Sequence, residues 1–376
     1  MRRVLFVANG HGETAIAARI AAELEGRARG PLGLDLFPLV GTGAGAAPLG
    51  LVGPRRAMPS GGLVAMGNVR AFSRDLRAGF VSLFARQLGF LWSLRSRYDV
   101  VLAIGDAYAL ALAFAARART VFVGTAKSVY VAPYGVFERT LLRRADLTFV
   151  RDEPTARRLR AERVDARAPG NVIVDLVGEA APLGPGRWLG ILPGSREEAY
   201  GDGVRLARVV RALAGLAPDL GTAFSIAPTL DAERFARALA GDGWSIAAGS
   251  GERPFEARAD AALLVGWNGP LGALLGASVA VLGQAGTANE QAAAFGVPVI
   301  ALGADGARED WYRMRQRRLL GDALAIVPPE PPRAAAAIAA LLADPAQLEH
   351  MRAAGLERMG ARGGAKAIAE AVLELL

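Results

Sequence analysis

The sequence predicts an α/β protein built from two Rossmann-like domains. Three observations carry this expectation. Short apolar runs alternate with helical patterns along the 376 residues, the order that builds parallel sheets. Twice an apolar run stops in a small-residue turn and a helix opens at once, after Asn9 to Glu13 and after Gly283 to Gly286. Between the halves, Leu176 to Gly186 carries Gly178, Pro182, Gly184, Pro185 and Gly186, and the alternation restarts at Trp188.

Composition narrows the class. With 52% hydrophobic and 21% charged residues, the chain can bury sizeable cores. It has no cysteine, which excludes disulfides and thiolate metal sites. Histidine occurs only at His11 and His350, so no metal site is expected. The net charge is +8, nearly all from Arg, with Lys only at Lys127 and Lys366. Such a surface favours anionic partners. The charge is scattered and no nucleic-acid module is recognisable, so no nucleic-acid partner is expected. Met1 to Val7 lacks the long apolar region of a signal peptide, and Val100 to Ala116 is interrupted by Asp106. A cytoplasmic protein, soluble or peripherally bound, is the expectation.

In the first half, Val4 to Ala8 reads as a strand and Thr14 to Leu24 as a helix. Between them, Gly10 and Gly12 flank His11 and let a ligand approach the backbone closely. His11 offers a base near neutral pH, or else bonds only within its own loop. The turn lacks the Gly-x-Gly-x-x-Gly fingerprint, which argues against NAD. Leu34 to Val40 is a second strand, followed by a long Gly/Pro-rich segment, Gly41 to Gly67. Val69 to Arg97 reads as a long helix or broken pair. Phe72, Leu76, Phe80, Phe84 and Trp92 interleave there with Arg70, Arg74, Arg77, Arg86, Arg95 and Arg97. The pattern suits either a core-facing helix or a membrane interface.

Tyr98 to Gly105 is a strand that delivers Asp106 to its carboxyl end, where parallel sheets bind ligands. Asp106 also suits the N-cap of the next helix. Thr120 to Gly124 and Ala145 to Val150 are further strands, Val136 to Arg144 is a basic helix, and Pro154 suits the first turn of another.

In the second half, Trp188 to Leu192 runs into Pro193-Gly194-Ser195-Arg196, which offers a close backbone approach, a hydroxyl and a charged fork for a diphosphate. Strands follow at Thr222 to Ala227, Trp244 to Ala247, Ala261 to Val265 and Ala277 to Leu282. After Gly283 to Gly286 a helix opens at Thr287 as N-cap, with Glu290 as its capping-box partner. Backbone N–H groups at that helix start favour an anion, and Glu290 and Gln291 can reach ribose or sugar hydroxyls. Arg308 to Leu319 is a strongly basic helix. Ala323 to Val327 is a strand, Pro331 to Leu342 a helix, and Pro345 to Leu376 helical with a break at Gly363-Gly364.

These marks resemble one family. Asn9-Gly10-His11-Gly12-Glu13, Pro59-Ser60-Gly61-Gly62, the Gly105-Asp106 strand end, Leu192-Pro193-Gly194-Ser195-Arg196 and Gly286-Thr287-Ala288-Asn289-Glu290-Gln291 are similar to the lipid-A-disaccharide synthase-related branch of the GT-B glycosyltransferases, over essentially the whole chain. Two departures stand out. The synthase's acid falls where this chain has Gln291, one residue after Glu290, so the ribose contact is left open to Glu290, Gln291 or both. Its aromatic segment after the middle Pro is replaced by Ala132 to Gly135.

The resemblance implies an acceptor domain over residues 1–180, a donor domain over 187–356, a cleft between them, and a terminal helix over 357–376 that crosses back to the first domain. It implies transfer of a sugar from a nucleotide diphosphate sugar, UDP-linked as in UDP-GlcNAc, to a lipid or lipid-linked acceptor, with inversion. The work would be done in the cytoplasm or at the inner membrane face. The nucleotide sugar is a substrate, and no cofactor is expected. Gly194, Ser195, Arg196, Gly286, Thr287, Glu290 and Gln291 would hold the donor. Asn9, Gly10, Gly12, Glu13, Ser60, Gly61 and Gly62 would line the acceptor side. Asp106 is preferred as catalytic base, with His11 as the competitor. A nucleotide-sugar 2-epimerase or hydrolase is the alternative enzyme, and a non-catalytic sugar-nucleotide or lipid-binding protein the alternative without chemistry.

Overall fold

The computed structural model describes residues 1–40, 43, 46–55, 80–178, 183–303 and 307–376. It divides into two compact units, Met1–Leu176 with Gly360–Leu376, and Val177–Met359. The chain therefore passes between units twice, and the second unit is inserted into the first.

The first unit holds seven strands: β1 (Arg2–Ala8), β2 (Leu32–Pro38), β3 (Gly50–Leu51), β4 (Val100–Gly105), β5 (Arg119–Gly124), β6 (Leu147–Phe149) and β7 (Ala166–Arg167). Their order in the sheet is β3-β2-β1-β4-β5-β6-β7, and every pairing is parallel. Successive side chains of a strand point to opposite faces. Accordingly Val4, Phe6 and Ala8 join one core with Ile16, Ile20 and Leu24, while Leu5 and Val7 join another with Leu83, Leu91 and Leu110. Both faces are covered, which is why these strands read as continuous apolar runs. Ile368 and Val372, from the helix Gly364–Leu375, complete the first of these cores. The Asp175 carboxylate accepts from Gly363 N and Ala365 N, both at 2.7 Å, and fixes the start of that helix.

The second unit holds β8 (Arg187–Leu192), β9 (Leu220–Ser225), β10 (Ser245–Ser250), β11 (Arg253–Ala259), β12 (Ala262–Trp267), β13 (Ser278–Gly283), β14 (Val299–Leu302) and β15 (Leu324–Val327). Their order is β10-β11-β12-β9-β8-β13-β14-β15. The run from β12 to β15 is parallel, and β10, β11 and β12 pair antiparallel at one edge. Leu206, Val210, Phe224, Phe235 and Ile338 form the core on one face.

Local expectations shift in three places. The first helix opens at His11 rather than Thr14 and runs to Arg27, so His11 lies in the helix and not in the turn. The Arg-rich segment contributes the helix Phe80–Ser93, while Arg70, Phe72, Arg74, Leu76 and Arg77 lie outside the described residues, as do Ser60, Gly61 and Gly62. At the donor turn, Gly286 is the N-cap, Thr287 is the first helical residue and no side chain caps the helix. The expected capping box, with Thr287 as N-cap, does not form. No helix of the described residues is long and apolar enough to cross a membrane.

Candidate functional site

Both sheets reverse their winding between two neighbouring strands, and the carboxyl ends of such strands leave a crevice for a ligand. In the first unit the reversal lies between β1 and β4, where Ala8 is paired with Ile104. The residues just beyond those ends are Asn9 and Asp106. Asn9 Nδ2 donates to Asp106 Oδ2 at 2.8 Å. Asp106 Oδ1 accepts from Tyr108 N at 3.0 Å and Ala109 N at 3.1 Å, capping the helix Ala107–Ala113. Capping and functional readings of Asp106 are thus compatible. Burial pushes its carboxyl above the ordinary range, against those hydrogen bonds, and the charge of Glu138 adds to the rise. A half-buried carboxylate of raised pKa suits a general base.

Gly105 shapes this corner. Its φ of 120° is a left-handed backbone that favours glycine, and a Cβ there would sit 3.1 Å from Glu13 Cγ. Glu13 therefore folds over the β4 end, beside Asp106. Gly10, the N-cap, and Gly12, exposed on the first turn, lie on the same strand-to-helix corner. His11 is described by its backbone alone and opens the helix next to Gly10.

A second group of ionisable side chains borders Asp106, and the sequence reading gave it no role. Lys127 Nζ pairs with Glu138 Oε2 at 2.7 Å, and the same oxygen accepts from Gly135 N at 2.7 Å. Tyr134 lies buried against Phe122, and its hydroxyl fills the space where Gly124 lacks a Cβ. Burial raises the Tyr134 phenol, and Glu138, Asp152, Arg151 and Asp106 all act on it electrostatically. Its signal in the sequence was position, since Thr125 to Ser128 follow the carboxyl end of β5.

In the second unit the reversal lies between β8 and β13, where Leu192 pairs with Gly283. This brings together two turns that lie about 90 positions apart in sequence. Gln284 N and Ala285 N both donate to Leu192 O, at 2.9 and 3.2 Å. Gly194 takes a φ of 125°, open to glycine, and leaves Ser195 and Arg196 exposed. Thr229 Oγ1 donates to Ser195 O at 3.0 Å and holds that turn. Glu197 is taken up by Arg234, whose Nη1 donates at 3.0 Å, so Arg196 has no acidic partner among the described residues.

Opposite Arg196's turn, the N–H groups of Gly286, Thr287, Ala288 and Asn289 have no hydrogen-bond partner among the described residues. Glu290 and Gln291 are half-buried on the first turn of the helix Thr287–Ala294. Asn289 Nδ2 donates back to Gly283 O at 3.2 Å, and a Cβ on Gly283 would fall 2.0 Å from Asn289 Oδ1. Gln284, only 7% exposed, has no partner among the described residues for either polar atom of its amide. Donors unpaired among the described residues, a helix N-terminus and the exposed Arg196 guanidinium are features that suit an anion.

The segment expected to face lipid divides. Leu83 and Leu91 are fully buried, and Phe84 packs on Tyr108 with ring centroids 6.1 Å apart, so Phe84 belongs to the core side. Trp92 is 55% exposed, with the Arg95 guanidinium 3.2 Å above its ring. The Phe80 side chain and Arg77 lie outside what is described.

No family model matches the sequence, and no curated protein does. Solved structures match the fold. UDP-GlcNAc 2-epimerase from Neisseria meningitidis bound to UDP-GlcNAc aligns over 99% of this chain and 100% of its own, at 15% identity and a TM-score of 0.58. MnaA from S. aureus, in complex with UDP, aligns over 100% and 98%, at 16% identity and 0.56. MurG from Acinetobacter baumannii aligns over 100% of both chains, at 14% identity and 0.57. The chain thus has the two-sheet α/β fold of the GT-B proteins and nucleotide-sugar epimerases.

Proposed function

We propose that the chain transfers a sugar from a nucleotide diphosphate sugar, UDP-linked as in UDP-GlcNAc, to a lipid or lipid-linked acceptor. The observation that carries this reading is the second unit's crevice. Four backbone N–H groups without a partner among the described residues sit at the β13 end, beside an exposed Arg196 at the β8 end. The diphosphate would lie on those amides with Ser195, Arg196 and Thr287, and Glu290 or Gln291 would take the ribose.

The first unit would bind the acceptor and supply the base. The acceptor hydroxyl attacks the anomeric carbon from the face opposite the diphosphate. Its proton passes to Asp106, the bond from that carbon to the diphosphate oxygen breaks, and the configuration inverts. Asn9, Glu13 and the neighbouring His11 would position the acceptor. Charge developing on the leaving diphosphate is met by the helix N-terminus and Arg196. Exposed Trp92 with Arg95, and Phe137, which is 73% exposed, supply apolar and cationic contacts suited to the inner membrane face.

One observation favours the epimerase alternative. Glu13 and Glu138 join Asp106 near one sheet edge, more carboxylates than a single-base transfer needs. UDP-GlcNAc incubated with the protein alone decides between them. A C2-epimerised UDP-sugar, or free UDP with an altered monosaccharide, supports the epimerase or hydrolase; turnover only after a lipid-linked acceptor is added supports transfer. UDP binding without turnover under either condition would leave a binding protein.

A further inference from the structure

The strongly basic helix Ala307–Leu320 has no part in the chemistry so far, yet two of its polar residues are buried behind the donor turn. Gln316 is 4% exposed and its Nε2 donates to Ala285 O at 2.7 Å. Arg313 is 6% exposed and its Nη1 donates to Gln316 Oε1 at 3.1 Å. We propose that Gln316, oriented by Arg313, is a positioning residue that turns the Gly286 amide toward the donor's diphosphate. This rests on the donor reading above.

The geometry is that of one peptide plane. In a trans peptide the carbonyl and the N–H point in opposite directions. Ala285 O is drawn inward by Gln316, so Gly286 N–H faces away from the helix that carries Gln316. The two preceding amides cannot substitute, because Gln284 N and Ala285 N are both committed to Leu192 O. Were the peptide to turn over, a carbonyl oxygen would stand where the amide was, and an anion would meet partial negative charge.

Arg313 decides which end of the Gln316 amide faces the turn. A guanidinium only donates, so it must take the carboxamide oxygen and leave the NH₂ for Ala285. A charged donor on that oxygen also strengthens the amide as a donor. A second mark of a ligand lies in the same turn: among the described residues, neither polar atom of the buried Gln284 amide is paired.

The test is calorimetric titration of the full chain with UDP and with uridine, for wild type, Gln316→Leu and Gln316→Glu. Glutamate keeps the shape and stays ionised beside Arg313, but has no N–H for Ala285. UDP affinity is expected to fall about tenfold in both variants, the loss of one hydrogen bond to a charged group, with uridine affinity unchanged. A lower Tm with an unchanged UDP-to-uridine ratio in either folded variant would make Gln316 merely structural and overturn the proposal. Wild type that binds no UDP would overturn the donor reading itself, which separates the two failures.

Discussion

Asp106 can be altered in two ways that separate its proposed chemistry from its part in the fold. Replacement by Ala removes the acceptor for Tyr108 N and Ala109 N, a lost cap of about 1 kcal/mol. It also strands the Asn9 amide, which is buried and whose Oδ1 already lacks a partner, at about 1–3 kcal/mol more. The expected loss is about 2–4 kcal/mol, roughly 5–10 °C in the first unit's transition. Replacement by Asn keeps the capping oxygen. The new NH₂ faces Asn9 Nδ2, but a half-turn of the Asn9 amide presents its unpaired Oδ1 instead. Asp106→Asn should therefore stay within about 1 kcal/mol of wild type.

The pH dependence has a definite sign. Burial raises the Asp106 carboxyl above its ordinary 3.8. A carboxyl raised on folding stabilises the fold while protonated. That contribution is complete below the unfolded value and is lost as pH rises through the folded one. The amide does not titrate, so Asp106→Asn should gain on wild type as pH climbs above 3.8. Turnover of the same variant should fall by about 10²–10⁴-fold, with donor affinity nearly unchanged. Thermal unfolding between pH 4 and 8, together with a UDP-release assay, reads all of this. Asp106→Asn as unstable as Asp106→Ala would refute the packing argument. Full turnover in it would refute the assignment of the base and pass that role to His11.

On the donor side, Arg196→Ala and Glu290→Ala should each weaken UDP binding about ten- to hundredfold with the fold intact. If Gln291→Ala is harmful and Glu290→Ala silent, the ribose contact lies one residue later. Asp175→Ala removes two backbone hydrogen bonds at the start of Gly364–Leu375 and should lower stability by about 2–4 kcal/mol, read as earlier proteolysis near Gly360. At low salt the protein should sediment with anionic vesicles, less so after Trp92→Ala or Phe137→Ala; failure of wild type to sediment removes the membrane contact.

The central strands of the first unit were legible because both faces of their sheet are covered, which writes β1, β4 and β5 as unbroken apolar runs. Their ends were legible too, since a turn of small or capping residues must follow each one. The strand β11, second from the edge, was not, because Arg253 to Ala259 alternates polar and apolar residues. Thr287 misled for a different reason. Its composition suits a cap, but the hydrogen bonds that pin Gln284 and Ala285 to Leu192 place Gly286 there instead. Those bonds join residues about 90 apart, and no local pattern carries them. The same holds for Gln316, whose partner Ala285 lies 31 positions upstream, and for Glu138 beside Asp106. Sequence locates the turns at which chemistry is done; the supports behind them come from distant elements and are written nowhere nearby.

The doubled passage between units sets an order for biogenesis. Residues 177–359 are continuous and carry their own core, so the inserted unit needs no residue made after Met359 in order to fold. The unit that begins with Met1 cannot finish then. One of its cores needs Ile368 and Val372, so the strands made first wait for a helix made some 360 residues later. During that interval the apolar face of β1 and its neighbours lacks its cover, and it is then that the nascent chain is most exposed to aggregation and most dependent on chaperones. A chain truncated after Met359 and released should have a later-made unit that resists protease and an earlier-made unit that does not, the reverse of the order in which the two began to be synthesised.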